Sequence, residues 1–214
     1  PGFKEAYHQF VEGDWQTVAL PSRIGGMGLP SAVSVATNEM IYAANMALGL
    51  CPMLTSSAIK AIETHASEDL QDTYLPKMLA GEWTGAMCLT EPQAGSDLGP
   101  VRTKAEDNGD GTYSITGQKI YITWGDHDCA ENIIHLVLAR LPDAPKGVKG
   151  ISLFLSPKFL VEDDGSLGAR NGMSVGSLEH KMGIHAQPTC VMNYDGAIGW
   201  LVGEPGRGLN AMFT

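Results

Sequence analysis

The sequence predicts an α+β protein, with an N-terminal α-helical segment followed by a central antiparallel β-barrel or sandwich. Two observations carry this. Apolar residues recur at helical spacing up to about residue 80. After Gly81 the period becomes alternating, in many short runs separated by Gly, Asp and Asn turns. The 214 residues are 43% hydrophobic, enough to bury a core. Only 18% are charged, which implies that other chain segments or subunits cover part of the surface.

Phe3, Ala6, Tyr7, Phe10 and Val11 mark a first helix. Pro21 to Pro30 is a loop. Its Gly26-x-Gly28 follows no strand and lacks a third glycine, so it is not a dinucleotide fingerprint. One helix is expected over Ser31–Leu50, capped by Ser31, and another over Thr55–His65. A third starts at Ser67-Glu68-Asp69, where the acids favour the helix dipole, and Gly81 closes a last short helix through Lys77–Ala80. Strands are expected at Thr84–Leu89, Val101–Glu106, Tyr113–Thr116, Gln118–Thr123, Ile133–Leu141, Ile151–Leu155, Met173–Leu178 and Cys190–Tyr194. The domain boundary falls at about residues 81–85.

A net charge of −10 argues against a nucleic-acid binder, which needs a basic face. It still allows one phosphorylated cofactor held by a few local donors. Cys51, Cys88, Cys129 and Cys190 form no CxxC pair and read as buried free thiols in a reducing compartment, which places the protein in the cytoplasm. No signal peptide appears, and no apolar run reaches the ~20 residues of a membrane span. The chain starts at Pro1 and stops at Thr214 as though cut from a longer protein.

Asp107-Asn108-Gly109-Asp110-Gly111 fails the calcium-loop register, because Gly117 stands where the bidentate glutamate belongs, so it reads as a hairpin turn. Asp126, His127, Asp128, Glu131 and His135 lack metal-ligand spacing and read as a capping or solvated loop. His180 and His185 have no oriented nucleophile and read as packing residues.

The most informative segment is Met87-Cys88-Leu89-Thr90-Glu91-Pro92-Gln93-Ala94-Gly95-Ser96-Asp97. Near Thr90 the main chain leaves a strand and is free to meet a ligand. Ala94, Gly95 and Ser96 allow close approach, and their N–H groups with the Ser96 hydroxyl suit a pyrophosphate. The same residues also make an ordinary capped turn shaped by Pro92 and Asp97. In Gln118-Lys119-Ile120-Tyr121-Ile122-Thr123-Trp124, alternation puts Ile120 and Ile122 on one face and Tyr121 and Thr123 on the other. An aromatic plate and a hydroxyl on one face fit a planar heteroaromatic ring, or equally a solvent-facing polar edge.

In combination these residues resemble the acyl-CoA dehydrogenase family. The matching pieces are Gly81-Glu82-Trp83, Cys88-Leu89-Thr90-Glu91-Pro92, Ala94-Gly95-Ser96-Asp97 and Gly117-Gln118-Lys119-Ile120-Tyr121-Ile122-Thr123, with Leu75-Pro76-Lys77 before and Gly203–Leu209 after. Gly125-Asp126-His127-Asp128, Leu138–Pro145, Lys149–Phe154 and Glu179–Ile184 resemble the larger bacterial members, the fatty acyl-CoA and 3-methylmercaptopropionyl-CoA dehydrogenases. The resemblance implies three domains, here residues 1–83 of a helical domain, a β domain at 84–203, and the start of a C-terminal helical domain at 204–214.

It also implies FAD as cofactor and conversion of an acyl-CoA thioester to the trans-2-enoyl-CoA. Met87, Cys88, Leu89 and Thr90 would line the flavin, Gly95 and Ser96 would meet its pyrophosphate, and Ser96 would also touch the substrate. Tyr121, Ile122 and Thr123 would pack on the isoalloxazine, with Thr123 toward N5. The catalytic glutamate is expected beyond Thr214, so no catalytic residue is named in this chain. An electron-transferring flavoprotein is the implied acceptor and a homodimer or homotetramer the implied assembly. The sequence departs from many members at Tyr121, where they have tryptophan, and at Trp124, where they have asparagine; Leu141 stands where some have a CoA-contacting serine. An acyl-CoA oxidase and a non-catalytic FAD- and CoA-binding member are the alternative readings.

Overall fold

The computed structural model describes residues 2–214. Three helices come first: α1 (Phe3–Glu12), α2 (Ser31–His65) and α3 (Glu68–Leu79). Nine strands follow: β1 (Trp83–Cys88), β2 (Lys104–Asp107), β3 (Tyr113–Thr123), β4 (Asn132–Arg140), β5 (Ile151–Pro157), β6 (Phe159–Val161), β7 (Leu167–Arg170), β8 (Met173–Leu178) and β9 (Thr189–Val202). A short helix α4 (Gly208–Met212) closes the chain.

The helices differ from expectation in their breaks. The expected gap near Pro52 is helical, and Pro30, not Ser31, precedes the first turn without a side-chain cap. The break falls instead at Asn45, whose backbone leaves helical geometry (φ −159°, ψ 94°). The Leu48 N–H donates to Asn45 Oδ1 at 3.1 Å, so Asn45 caps the second half from within. That half buries Cys51, Ala58, Ile59 and Ile62 completely, and this packing holds Pro52 in a helix. Ser67 does cap α3: its side chain accepts from the Leu70 N–H. The short helix expected before Gly81 is simply the end of α3. Gly81 has a left-handed φ of +69°, and a Cβ there would meet Val11 at 2.6 Å.

The sheet is mostly antiparallel and sandwich-like. β1 runs parallel to β4 from Trp83/Asn132 to Cys88/Val137, and β2 meets β4 in parallel at Lys104/Arg140. The long excursion through β2 and β3 supplies the crossover that a parallel pair needs. β4 also pairs with β5, β5 with β9, and β9 with both β3 and β8.

β4 is buried on both faces, which explains its unbroken apolar run. Ile134, Leu136 and Leu138 pack towards the helices with Ile59, Ile62, Tyr74 and Met78. Ile133, Val137 and Ala139 pack into a second core with Cys88, Ile115, Ile122, Phe154 and Tyr194.

Four further differences concern the strands. β2 begins only at Lys104, because the Arg102 and Thr103 N–H groups donate to the Glu91 carboxylate (2.7 and 3.0 Å) rather than to a strand. The two strands expected at 113–123 are one, with Gly117 interior; a Cβ there would lie 2.5 Å from Thr103 Oγ1. β6 and β7 form a hairpin not expected from sequence, being short and without a buried face. β9 runs well past Tyr194 despite Gly196 and Gly199. Asp107–Gly111 is the β2–β3 hairpin turn. His180 and His185 are exposed on a loop, not packed as the sequence suggested.

Candidate functional site

Strict alternation fails within β3. Lys119 pairs with Met192 and Ile122 with Cys190, so Ile120 and Tyr121 together oppose the single residue Val191. This β-bulge reverses the parity of the strand. Lys119 and Ile122 therefore share the buried face (0% and 2% exposed), and Ile120 does not sit with Ile122 as expected. Tyr121 takes a left-handed φ of 59°, an uncommon conformation for a bulky residue that concentrates at functional sites. Its side chain is 59% exposed, and Thr123, two residues on, is half-buried.

The loop after β1 lies against this bulge. The Ile120 N–H donates to the Thr90 carbonyl at 2.9 Å. Lys119 Nζ donates to the Leu89 carbonyl at 3.0 Å and to Glu91 Oε1 at 2.8 Å. The same carboxylate accepts from the Thr103 hydroxyl at 2.6 Å. Burial alone would raise the Glu91 pKa. Lys119 and the Thr103 and Arg102 donors outweigh it and hold the carboxyl at about 2. Burial pulls Lys119 below the ordinary lysine value, and Glu91 pushes it back up. The pair stands as Glu91 carboxylate and Lys119 ammonium.

Past Glu91 the chain makes a tight turn closed by Glu91 and Ala94 backbone bonds. Asp97 Oδ1 accepts from the Gly99 N–H at 2.8 Å. Gly95 and Ser96 are exposed, and a Cβ on Gly95 would meet nothing within 4 Å. A ligand has open access to that backbone. Met87, Leu89 and Thr90 are half-buried. Cys88 and Ile122 have buried side chains, so only their main chains are left for a ligand.

The segment after Thr123 is anchored deep in the fold. Trp124 is 2% exposed, and its Nε1–H donates to the Ala47 carbonyl at 3.1 Å. His135 Nε2 lies 2.8 Å from the Gly125 carbonyl and Nδ1 lies 2.8 Å from Tyr194 Oη. A carbonyl only accepts, so Nε2 carries the hydrogen and Nδ1 accepts from the tyrosine. Desolvation pulls the His135 pKa to about 4. His127 is held at about 4, again first by desolvation; it faces Thr84 Oγ1 at 3.0 Å and accepts from the Cys129 N–H. Asp126 pairs with Lys158 and Arg170 at 2.5 and 3.0 Å. The expected solvated loop at 126–135 is thus a partly buried polar network around the end of β3.

Sequence reasoning missed Glu91, Lys119, Thr103 and His135 as parts of this site. One signal was available, since a lysine inside a short apolar strand needs an acid if it is buried. The bulge that brings Ile122 onto the same face as Lys119 leaves no mark in the pattern. Gly95, Ser96 and Tyr121 are exposed, and Thr90 and Thr123 are half-buried. A cavity of about 520 Å³ lies elsewhere, between α2 and the segment around Trp15 to Arg23.

Residues 2–82 match the acyl-CoA dehydrogenase N-terminal domain, and residues 86–197 match the acyl-CoA dehydrogenase middle domain. This chain belongs to the acyl-CoA dehydrogenase family. It is 53% identical over 99% of its length to a 3-methylmercaptopropionyl-CoA dehydrogenase of Ruegeria pomeroyi, of which it covers 36%. It is 40% identical over 96% of its length to a butyryl-CoA dehydrogenase of Syntrophomonas wolfei, covering 38% of that protein. An acyl-CoA dehydrogenase of Bacillus anthracis complexed with FAD superposes with a TM-score of 0.80 at 25% identity, over 99% of this chain and 34% of that one. The chain thus spans under two fifths of the length of these acyl-CoA dehydrogenases. No helix among the described residues is long and apolar enough to cross a membrane.

Proposed function

We propose that this chain supplies one wall of the flavin and substrate site of an enzyme that converts an acyl-CoA thioester to the trans-2-enoyl-CoA with FAD. The observation that carries the reading is the bulge in β3. It leaves the Tyr121 ring exposed, two residues before the Thr123 hydroxyl and directly after Lys119 and Ile120, which bond the Leu89 and Thr90 carbonyls. These residues fit a flat heteroaromatic group, and the open backbone at Gly95 fits a phosphate. Bound there, FAD supplies the acceptor for hydride leaving the β carbon. Tyr121 packs on the ring, Thr123 hydrogen-bonds its edge, and Met87 to Thr90 face it with main-chain groups. Ser96 and Gly95 bind the pyrophosphate, and Ser96 also touches the substrate. We assign removal of the α proton to a glutamate outside these 214 residues.

The domain division at 83/84 and 203/204 is part of the same reading, supported at the first boundary by the two family matches. So are an electron-transferring flavoprotein as acceptor and a homodimer or homotetramer as assembly. Four free cysteines, all buried, support a reducing, cytoplasmic setting. The test is colour. The full-length protein is expected to purify yellow and to bleach anaerobically with an acyl-CoA. A colourless protein that takes up no FAD defeats the proposal. Bleaching followed by rapid recovery in air would make it an oxidase instead.

Thr123→Ala is expected to slow flavin reduction while leaving the fold intact. The side chain is only half-buried, and one lost hydrogen bond costs roughly 0.5–1.5 kcal/mol. Stopped-flow reduction and the visible spectrum measure this. Unchanged rates with an unchanged spectrum would remove Thr123 from the site.

A further inference from the structure

We infer that Glu91 and Lys119 are positioning residues of this site: their buried ion pair fixes Leu89–Thr90 against the bulge at Ile120–Tyr121, so that both segments present one ligand face. The inference rests on the flavin reading above and goes beyond it, since neither side chain is exposed to a ligand. Lys119 is 0% and Glu91 3% exposed.

The geometry brackets Thr90 from both sides. The residue before it gives its carbonyl to Lys119 Nζ at 3.0 Å. Thr90 itself gives its carbonyl to the Ile120 N–H at 2.9 Å. The residue after it gives its carboxylate to Lys119 Nζ at 2.8 Å. Three consecutive residues of one loop are thus locked onto two consecutive residues of one strand. Those two residues immediately precede Tyr121, which stands in left-handed geometry.

The carboxylate extends the lock to a third segment. It accepts from the Arg102 N–H at 2.7 Å, the Thr103 N–H at 3.0 Å and the Thr103 hydroxyl at 2.6 Å. Gly117 makes room for this, because any side chain there would collide with Thr103. A core that needed only filling would use apolar residues, since a buried ion pair seldom adds net stability over them. What the pair adds is direction. Its donors and acceptors fix where the main chain stands, and ligand sites depend on such support to within fractions of an ångström.

The experiment separates bracing from positioning. In the full-length protein, Lys119→Met and Glu91→Gln each leave one buried charge uncompensated and are expected to lower Tm. The double variant Lys119→Met/Glu91→Gln removes both charges together, and its Tm should return towards the wild-type value. Its FAD affinity should stay weaker by roughly tenfold to a hundredfold, with a shifted flavin absorption band, because the loop is no longer set. Recovery of both Tm and FAD affinity in the double variant would reduce the pair to a structural brace and overturn the inference. If these variants do not fold, Thr103→Val decides. It removes one donor to Glu91 and no charge, and should weaken FAD binding several-fold at a nearly unchanged Tm. Unaltered FAD affinity in Thr103→Val would then overturn the inference. The wild-type protein is the control for the underlying reading. If it takes up no FAD, the flavin reading fails first; if it does and the folded variants match it, only the positioning role fails.

Discussion

Replacing Trp124 by alanine is expected to lower stability by about 3–5 kcal/mol, the cost of emptying a large buried aromatic site. Trp124 is 2% exposed, its ring centroid lies 5.5 Å from Phe3 and 5.0 Å from His127, and it bonds the Ala47 carbonyl across the domain. The ring therefore ties three elements together: α1, α2 just past its break at Asn45, and the end of β3. Its own backbone is left-handed (φ 56°), so the position is specified by tertiary contacts rather than by local preference. Trp124→Phe keeps most of the bulk and loses the hydrogen bond, and should cost about 1–2 kcal/mol. Denaturant titration of both variants checks this. An alanine variant within about 1 kcal/mol of wild type would show that α2 and β3 are joined elsewhere. Because Thr123 precedes it directly, the alanine variant should also hold flavin less tightly.

Acid is expected to destabilise this protein as the pH falls from ~6.5 towards about 4. His135 is fully buried, neutral, and held at about 4 by desolvation. Nearby Asp126 acts the other way, and Lys158 and Arg170 reinforce the shift. In the unfolded chain the same imidazole titrates near ~6.5. The sign follows from proton counts. Between these two values the unfolded state binds the extra proton, so stability falls as pH drops. The contribution is fully present above pH ~6.5 and is lost as the pH falls through about 4, in total on the order of 3 kcal/mol. His127, shifted the same way, adds to the slope in the same window. Unfolding free energies measured at intervals from pH 7 to 4 would show it. His135→Gln should flatten the curve there. Gln would still donate to the Gly125 carbonyl, and it does not titrate. An unchanged slope in that variant would assign the acid sensitivity to other groups.

The sequence by itself determined where the chain passes from helices to strands. Periodicity depends on which faces are buried, and here the switch from helical to alternating spacing near Gly81 coincides with the end of α3 and the start of β1. The start of α3 was legible for a similar reason, since an acidic first turn is a local arrangement. So was the family, because its marks are short ordered segments at Cys88–Asp97 and Gly117–Thr123.

Tertiary structure decided the rest. The break in α2 sits at Asn45 and not near Pro52, because burial of Cys51 to Ile62 outweighs the cost of a proline in a helix. Ile122 joins Lys119 on the buried face only because β9 offers one residue against two of β3, a mismatch between strands that neither strand's own pattern records. Glu91 meets Lys119 across 28 positions of chain, and His135 meets Tyr194 across 59. Polar pairs of that separation are set by how the sheet folds over its two cores. Local propensity and spacing act over a few residues, whereas the groups that hold Thr90 and Thr123 in place are brought together by packing alone.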